Sequence, residues 1–349
     1  MHQSLPLFLP LFIFFVYTTD CLNGLNCQQG AEIKPNGQKF NNTDPKCPQK
    51  GAKYCVTSIC TTDEEFEEWL RELKLLHTTR FCDCGNEMRY KWIKDRNQPL
   101  WICNSRKNHE GKRPTIGFYT DTFFEGAHLS PKQVFQFSYH WARNCSNEEI
   151  IFQMGLDTHT VTDWKNFMRD VTSEFYSRNP IKIGGGGATV EIDETVLNKP
   201  KYHRGKLPGP QQWYFGGVER GTARCFIVPV ERRDADTLLP LIQQHIHAGT
   251  TIVSDGWAAY GNIDKLPELY THYVVNHSEN FKEPVSGQHT NTIESTWQKF
   301  KQQHKTRFGT QRSLFSTYIS DFLWRRQFGG PDIFFNLWTQ IAELYPIST

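Results

Sequence analysis

Three carboxylates stand where strands should end or a helix should begin. Asp193 lies in "VEIDETVLNK" (190–199), Asp255 in "TTIVSDGWAAY" (250–260) and Glu294 in "HTNTIESTWQKFKQQHKTRF" (289–308). Alone, each has an ordinary reading: an edge-strand charge, a turn aspartate before glycine, a solvated helix residue. Brought together with no permanent basic partner they repel, unless a hard divalent cation neutralises them. An all-oxygen ligand set suits Mg²⁺ or Mn²⁺. Two such ions about 4 Å apart can activate a water or a 3′-hydroxyl and stabilise the leaving oxygen in phosphodiester chemistry. Strand alternation puts Glu191 on the face of Asp193 and Glu194 on the opposite face. Glu191 is therefore expected at the rim of such a site, and Glu194 against solvent or a basic neighbour.

The elements that must hold these acids are legible from periodicity. Residues 188–197, 212–220 and 224–232 read as three strands, the last two joined by the hairpin turn Arg220-Gly221-Thr222-Ala223. A helix over 234–246, a buried strand over 250–260, a short strand over 271–279 and a long helix over 289–308 follow. Three strands, helix, strand, strand, helix is the order of an α/β RNase H-like domain, a mixed sheet flanked by helices, spanning 188–312. First and fourth strands can then be neighbours, with Asp193 and Asp255 at their carboxyl ends and Glu294 supplied from the side. Two more helices, near 313–328 and 331–345, make a C-terminal segment over 313–349.

Basic residues lie where a DNA substrate would need them. Lys199, Lys201, Arg204 and Lys206 follow the first strand without an intervening acid. The Glu294 helix continues with Lys299, Lys301, Lys305 and Arg307, and Lys301 lies two turns after Glu294 on the same face. Trp257 and Trp297 could stack on bases, though a core role competes for both. Net charge is +2, so the nucleic-acid signal is local and not global.

Upstream, residues 61–77 read as a helix with Thr62 and Glu65 as a capping box. Residues 130–144 form a helix started by Ser130 and Pro131, and 146–155 a second one capped by Ser146. Residues 160–176 form a third, with Val161, Trp164, Phe167, Met168, Val171 and Phe175 on one face. Short helix, tight turn at Gly155 and longer helix give a helix-turn-helix pattern over 128–180, or an ordinary three-helix bundle. "IGGGG" (183–187) reads as a flexible boundary before the sheet.

The first 60 residues conflict with this picture. "LPLFLPLFIFFVY" (5–17) has the length and apolarity of a signal peptide, and 18–60 is a loose polar leader. All ten cysteines but Cys225 lie in the first half of the chain. A secreted cysteine-rich protein is therefore one alternative, while a nucleic-acid enzyme would be expected in the nucleus and the apolar start would be an artefact of the gene model.

"EIDET", "SDGWAAY", "VNHSENF" and "HTNTIESTWQKFK" together resemble the signature blocks of DDE transposases of the ISXO-like insertion-sequence group, related to the Merlin transposons. The resemblance covers roughly 62–328. It implies Asp193, Asp255 and Glu294 as metal-binding triad, Lys301 as the accompanying basic residue and two Mg²⁺ or Mn²⁺ ions. It also implies strand cleavage and transfer at double-stranded terminal inverted repeats by a homo-oligomer, with no small-molecule substrate. A zinc ribbon is implied over 61–120, but here it departs from the pattern. Cys82 and Cys84 are separated by one residue and not two, and Cys103 lacks a partner cysteine, with His109 the nearest substitute for a fourth zinc ligand. A domesticated or inactive DNA-binding descendant is the remaining alternative.

Overall fold

The computed structural model describes residues 63–93, 98–197, 212–275, 289–306 and 311–347, all within the compact unit Cys60–Thr349. The apolar start, Thr62, Lys199, Lys201, Arg204, Lys206 and Arg307 lie outside the described residues. Among the described residues no helix is long and apolar enough to cross a membrane.

The first helix, α1, is Asp63–Glu72. It stops short of the expected residue 77 because Lys74 takes left-handed backbone, φ 57°. Strands β1 (Arg89–Ile93), β2 (Gln98–Ile102) and β3 (Thr115–Gly117) form an antiparallel sheet in that order. Helix α2 (Pro131–Ala142) starts as its sequence dictates. Ser130 accepts from the Gln133 amide while Gln133 reaches back to the Ser130 amide. Helix α3 (Asn147–Met154) ends at Gly155 in left-handed backbone, and Asp157 caps α4 (Thr158–Arg178).

The expected apolar stripe of α4 buries Val161, Trp164, Met168 and Val171, but its buried face also takes in polar residues and leaves one aromatic out. Phe167 is 54% exposed, whereas Arg169 and Thr172 are buried. The cause is a partner from the far end of the chain, α7 (Phe315–Phe328): the Arg169 guanidinium lies 4.0 Å from the Tyr318 ring centre and its Nε reaches Thr317. Helix α8 (Ile333–Leu344) joins the same layer, where Trp338 donates to Ser138 of α2 over 3.0 Å. The C-terminal helices therefore complete the helical layer of α2 and α4.

The central sheet has five strands in the order β10-β9-β5-β6-β7. They are β5 (Thr189–Val196), β6 (Trp213–Glu219), β7 (Cys225–Val230), β9 (Thr251–Asp255) and β10 (Thr271–Val275). β5, β6 and β7 form an antiparallel meander, and β9 and β10 add parallel to β5. The crossover from β7 to β9 contains α5 (Ala235–His245). On one face Val190, Ile192, Phe215, Ile252, Leu238, Ile242 and Tyr260 form a core; on the other, α6 (Asn291–Thr306) and α7 pack Ile293, Trp297, Phe300 and Phe322 against Tyr214, Val218 and Ile227. Each fully buried aliphatic or aromatic side chain contributes about 1.5–3 kcal/mol over exposure. A mixed sheet with helices on both faces is consistent with the expected RNase H-like arrangement.

The glycine run is not a free linker. β4 (Ile183–Gly184) pairs with β8 (Ile246–His247), the Gly184 amide donates to Glu219 and the Gly185 amide to Thr250, each over 2.8 Å. Gly184 has φ 83°, and a Cβ there would meet the Thr250 hydroxyl at 2.5 Å. Glycine is required because the backbone passes so close to the sheet.

Candidate active site and metal centre

Parallel pairing sets the two aspartates level. Glu191 of β5 faces Val253 of β9, where the parallel pairing ends; two residues further on, Asp255 closes β9 while Asp193 lies mid-strand in β5, still paired with Gly216 of β6. Asp193 is half-buried. Burial, joined by the charges of Glu194 and Asp255 and opposed by hydrogen bonds to the Glu194 backbone and the Trp297 indole, pushes its pKa up to about 7. Asp255 is held by the Trp257 amide, which donates to its Oδ1 over 3.0 Å.

Helix α6 crosses the sheet at Asp193. Its apolar face carries Ile293, Thr296, Trp297 and Phe300 inward. The Trp297 indole donates to Asp193 Oδ2 over 3.1 Å. Room for that indole comes from Gly216, which pairs with Asp193 across β5 and β6; a Cβ there would meet the ring at 2.6 Å. Glu294, one turn before Trp297, is exposed in the first turn of α6, with the Thr290 hydroxyl 3.5 Å away. Lys301 is half-buried further along the helix, and Lys299 and Lys305 are exposed. The arrangement brings Asp193 and Asp255 side by side with the Glu294 helix docked on Asp193. The three carboxylates do not gather with every ligand oxygen within 4.8 Å of the others, as the cysteine–histidine group described below does.

Glu191 corrects the rim expectation. It is fully buried. Arg220 Nε donates to it over 2.6 Å, the Thr292 amide over 2.8 Å, the Thr292 hydroxyl over 2.8 Å and the Ile293 amide over 2.9 Å. His289 Nδ1 lies 3.3 Å away. Glu194 faces the other side, as alternation requires, but its partner is a phenol: Tyr260 donates to it over 2.5 Å. Burial raises the Glu194 pKa against that hydrogen bond. An acid on the inward face of an apolar strand was the sequence signal for Glu191; its partners lie 29 residues away at Arg220 and 101 and 102 away at Thr292 and Ile293, beyond any local pattern.

Of the two tryptophans considered for base stacking, Trp297 is core. Trp257 is 42% exposed, and its indole donates to the Arg233 carbonyl over 2.9 Å. The Arg233 guanidinium lies 3.7 Å from the Trp213 ring centre and 5.1 Å from that of Trp257.

A second chemical centre sits in the three-stranded sheet region. Cys82, Cys84, Cys103 and His109 place one donor atom each within 4.8 Å of the others. Cys84 and Cys103 sulfurs are 3.7 Å apart, and His109 Nε2 lies 3.1 Å from Cys84 and 3.3 Å from Cys82 sulfur. A tetrahedral zinc with Zn–S of about 2.3 Å and Zn–N of about 2.0 Å sets S···S edges near 3.8 Å and S···N edges near 3.5 Å. The S···S distance matches that geometry and the two S···N distances are shorter by about 0.2–0.4 Å, so the four residues could hold a tetrahedral metal ion. The shortened Cys-x-Cys spacing is accommodated by Gly85 at φ 79°, whose amide returns to the Cys82 carbonyl over 2.8 Å. Hydrogen bonds from Asn86 lower the Cys84 thiol to about 6, so this sulfur is ready to ligate as thiolate.

Residues 183–327 match the family of the ISXO2-like transposase domain. No curated protein matches the sequence. Among solved structures, the chain is similar to one in the cryo-electron-microscopy structure of the simian T-cell lymphotropic virus intasome in complex with PP2A regulatory subunit B56 gamma. That likeness has 13% identity and a TM-score of 0.27 over 54% of this chain and 64% of that one, too loose to bear on function. The matched span opens at β4, takes in Asp193, Asp255 and Glu294 and closes in the last turn of α7: this part of the chain is an ISXO2-like transposase domain.

Proposed function

We propose that the chain is a divalent-metal-dependent DNA transposase, with Asp193, Asp255 and Glu294 as its metal-binding carboxylates. The observation that carries this reading is the level placement of Asp193 and Asp255 on adjacent parallel strands, with the Glu294 helix docked on Asp193, inside an ISXO2-like transposase domain. The donor set is all oxygen and Asp193 is held unfavourably as an anion, which suits Mg²⁺ or Mn²⁺. Divalent ions bound there supply activation of a water or 3′-hydroxyl and charge stabilisation at the leaving oxygen. The protein fixes where these oxygens point. Trp297 occupies one oxygen of Asp193, the Trp257 amide one oxygen of Asp255, and α6, docked on Asp193 through Trp297, carries Glu294 in its first turn. Lys299, Lys301 and Lys305 on the same helix contact DNA phosphates, joined by Lys199, Lys201, Arg204, Lys206 and Arg307.

We further propose zinc at Cys82, Cys84, Cys103 and His109, where it ties the turn after Cys82 to the segment after β2, and a helix-turn-helix DNA contact by α3 and α4. The reaction acts on double-stranded transposon ends as a homo-oligomer. The test is incubation of purified protein with the DNA flanking its own coding sequence, with Mg²⁺ and with a chelator. Cleavage at defined positions that requires Mg²⁺ supports the reading; DNA binding with no cleavage under any divalent ion supports a domesticated binding protein.

A further inference from the structure

Helix α6 must present Glu294 to a site built on β5, yet Glu294 sits in the exposed first turn, the part of a helix that frays most readily. The first amides of a helix lack intrahelical acceptors and carry the positive end of its dipole. Two of those amides, of Thr292 and Ile293, donate to one fully buried carboxylate, Glu191. The same carboxylate takes the Thr292 hydroxyl and Arg220 Nε, while Arg220 also donates to the His289 carbonyl just before the helix. Arg220 follows β6 and Glu191 is two residues from Asp193 on β5, so strand, hairpin and helix start converge on one side chain.

We propose that Glu191 is a positioning residue: a buried anion that clasps the first turn of α6, with Arg220 as counter-charge, and so fixes Glu294 relative to Asp193. This rests on the carboxylate-triad reading above for its functional consequence, but the clasp itself is separately measurable. Asp193 and Glu191 have distinct duties two residues apart. Glu191 accepts from the helix and from Arg220, whereas Asp193 accepts the Trp297 indole and a backbone hydrogen bond at Glu194.

The experiment uses the full chain in four forms: wild type, Glu191→Gln, Thr292→Val and Thr292→Ser. Thr292→Val keeps size and backbone but removes one donor to Glu191, and it guards against Glu191→Gln failing to fold. Two quantities are read: amide hydrogen exchange across 291–297 in metal-free protein, and Mn²⁺ binding by calorimetry, with Asp193→Asn as a binding control. Expected is exchange in the first turn of α6 faster in Thr292→Val by on the order of tenfold, the loss of one hydrogen bond to a charged acceptor, with the core strands unchanged. Mn²⁺ affinity falls several-fold in parallel, and Thr292→Ser restores both. First-turn exchange in Thr292→Val equal to wild type overturns the clasp. Faster exchange with unchanged Mn²⁺ affinity overturns its positioning role. Mn²⁺ binding that Asp193→Asn leaves intact overturns the triad reading instead, and the exchange arm still decides the clasp.

Discussion

The indole Nε1 of Trp297 donates to Oδ2 of Asp193 over 3.1 Å, tying the helix that carries Glu294 to the strand that carries Asp193. A donor aimed at a carboxylate favours its charged form. Trp297→Phe keeps the ring and removes the donor, so the Asp193 pKa rises further. The expected outcome is an alkaline shift of the acidic limb of the cleavage–pH profile, with folding retained. An unshifted limb contradicts this role for Trp297.

That hydrogen bond depends on a missing side chain. Gly216 leaves the space the indole fills, and a methyl there lies 2.6 Å from it. Overpacking of this kind costs about 1–3 kcal/mol. Gly216→Ala is expected to lower stability by that amount in urea denaturation and to weaken cleavage. The neighbouring Gly217 answers to a different ring, Phe226, on the other face.

Burial, together with the Glu194 and Asp255 charges, holds Asp193 at about 7 in the folded chain against an ordinary 3.8. Between those values the folded state keeps a proton that the unfolded chain releases. Stability of the metal-free protein therefore falls as pH rises through that window. Asp193→Asn should flatten the decline in melting temperature between pH 4 and 7 and leave a residual slope from Glu194, whose pKa is also raised. A decline as steep as in wild type rules out Asp193 as its source.

The cysteine–histidine centre predicts one zinc per chain by elemental analysis. Cys103→Ser should lose it and unfold the three-stranded sheet at lower temperature. His109→Cys should retain it, because a thiolate serves the same tetrahedral site. Equal zinc content in wild type and Cys103→Ser contradicts the assignment.

Much of the central sheet was legible because its signals are local: alternation in β5, a buried apolar run in β9, and an apolar stripe in α6. That the strands of Asp193 and Asp255 can be neighbours followed from element order; their register, Glu191 opposite Val253, did not. What escaped was long-range. Phe167 reads as core by periodicity but is exposed, while contact with α7 extends the buried face of α4 to Arg169 beside Thr172. The glycine run reads as a flexible boundary, but Glu219 and Thr250 bond its amides. Glu191 reads as a rim acid because nothing near it in sequence announces that it caps the start of a helix about a hundred residues later.

The most direct measurement is Mg²⁺-dependent cleavage of the flanking DNA by wild type beside Asp193→Asn, Asp255→Asn and Glu294→Gln, with DNA affinity recorded for each. The account predicts that wild type cleaves, that all three variants bind DNA with near wild-type affinity, and that none cleaves. Cleavage by any one of them at the wild-type rate would contradict it.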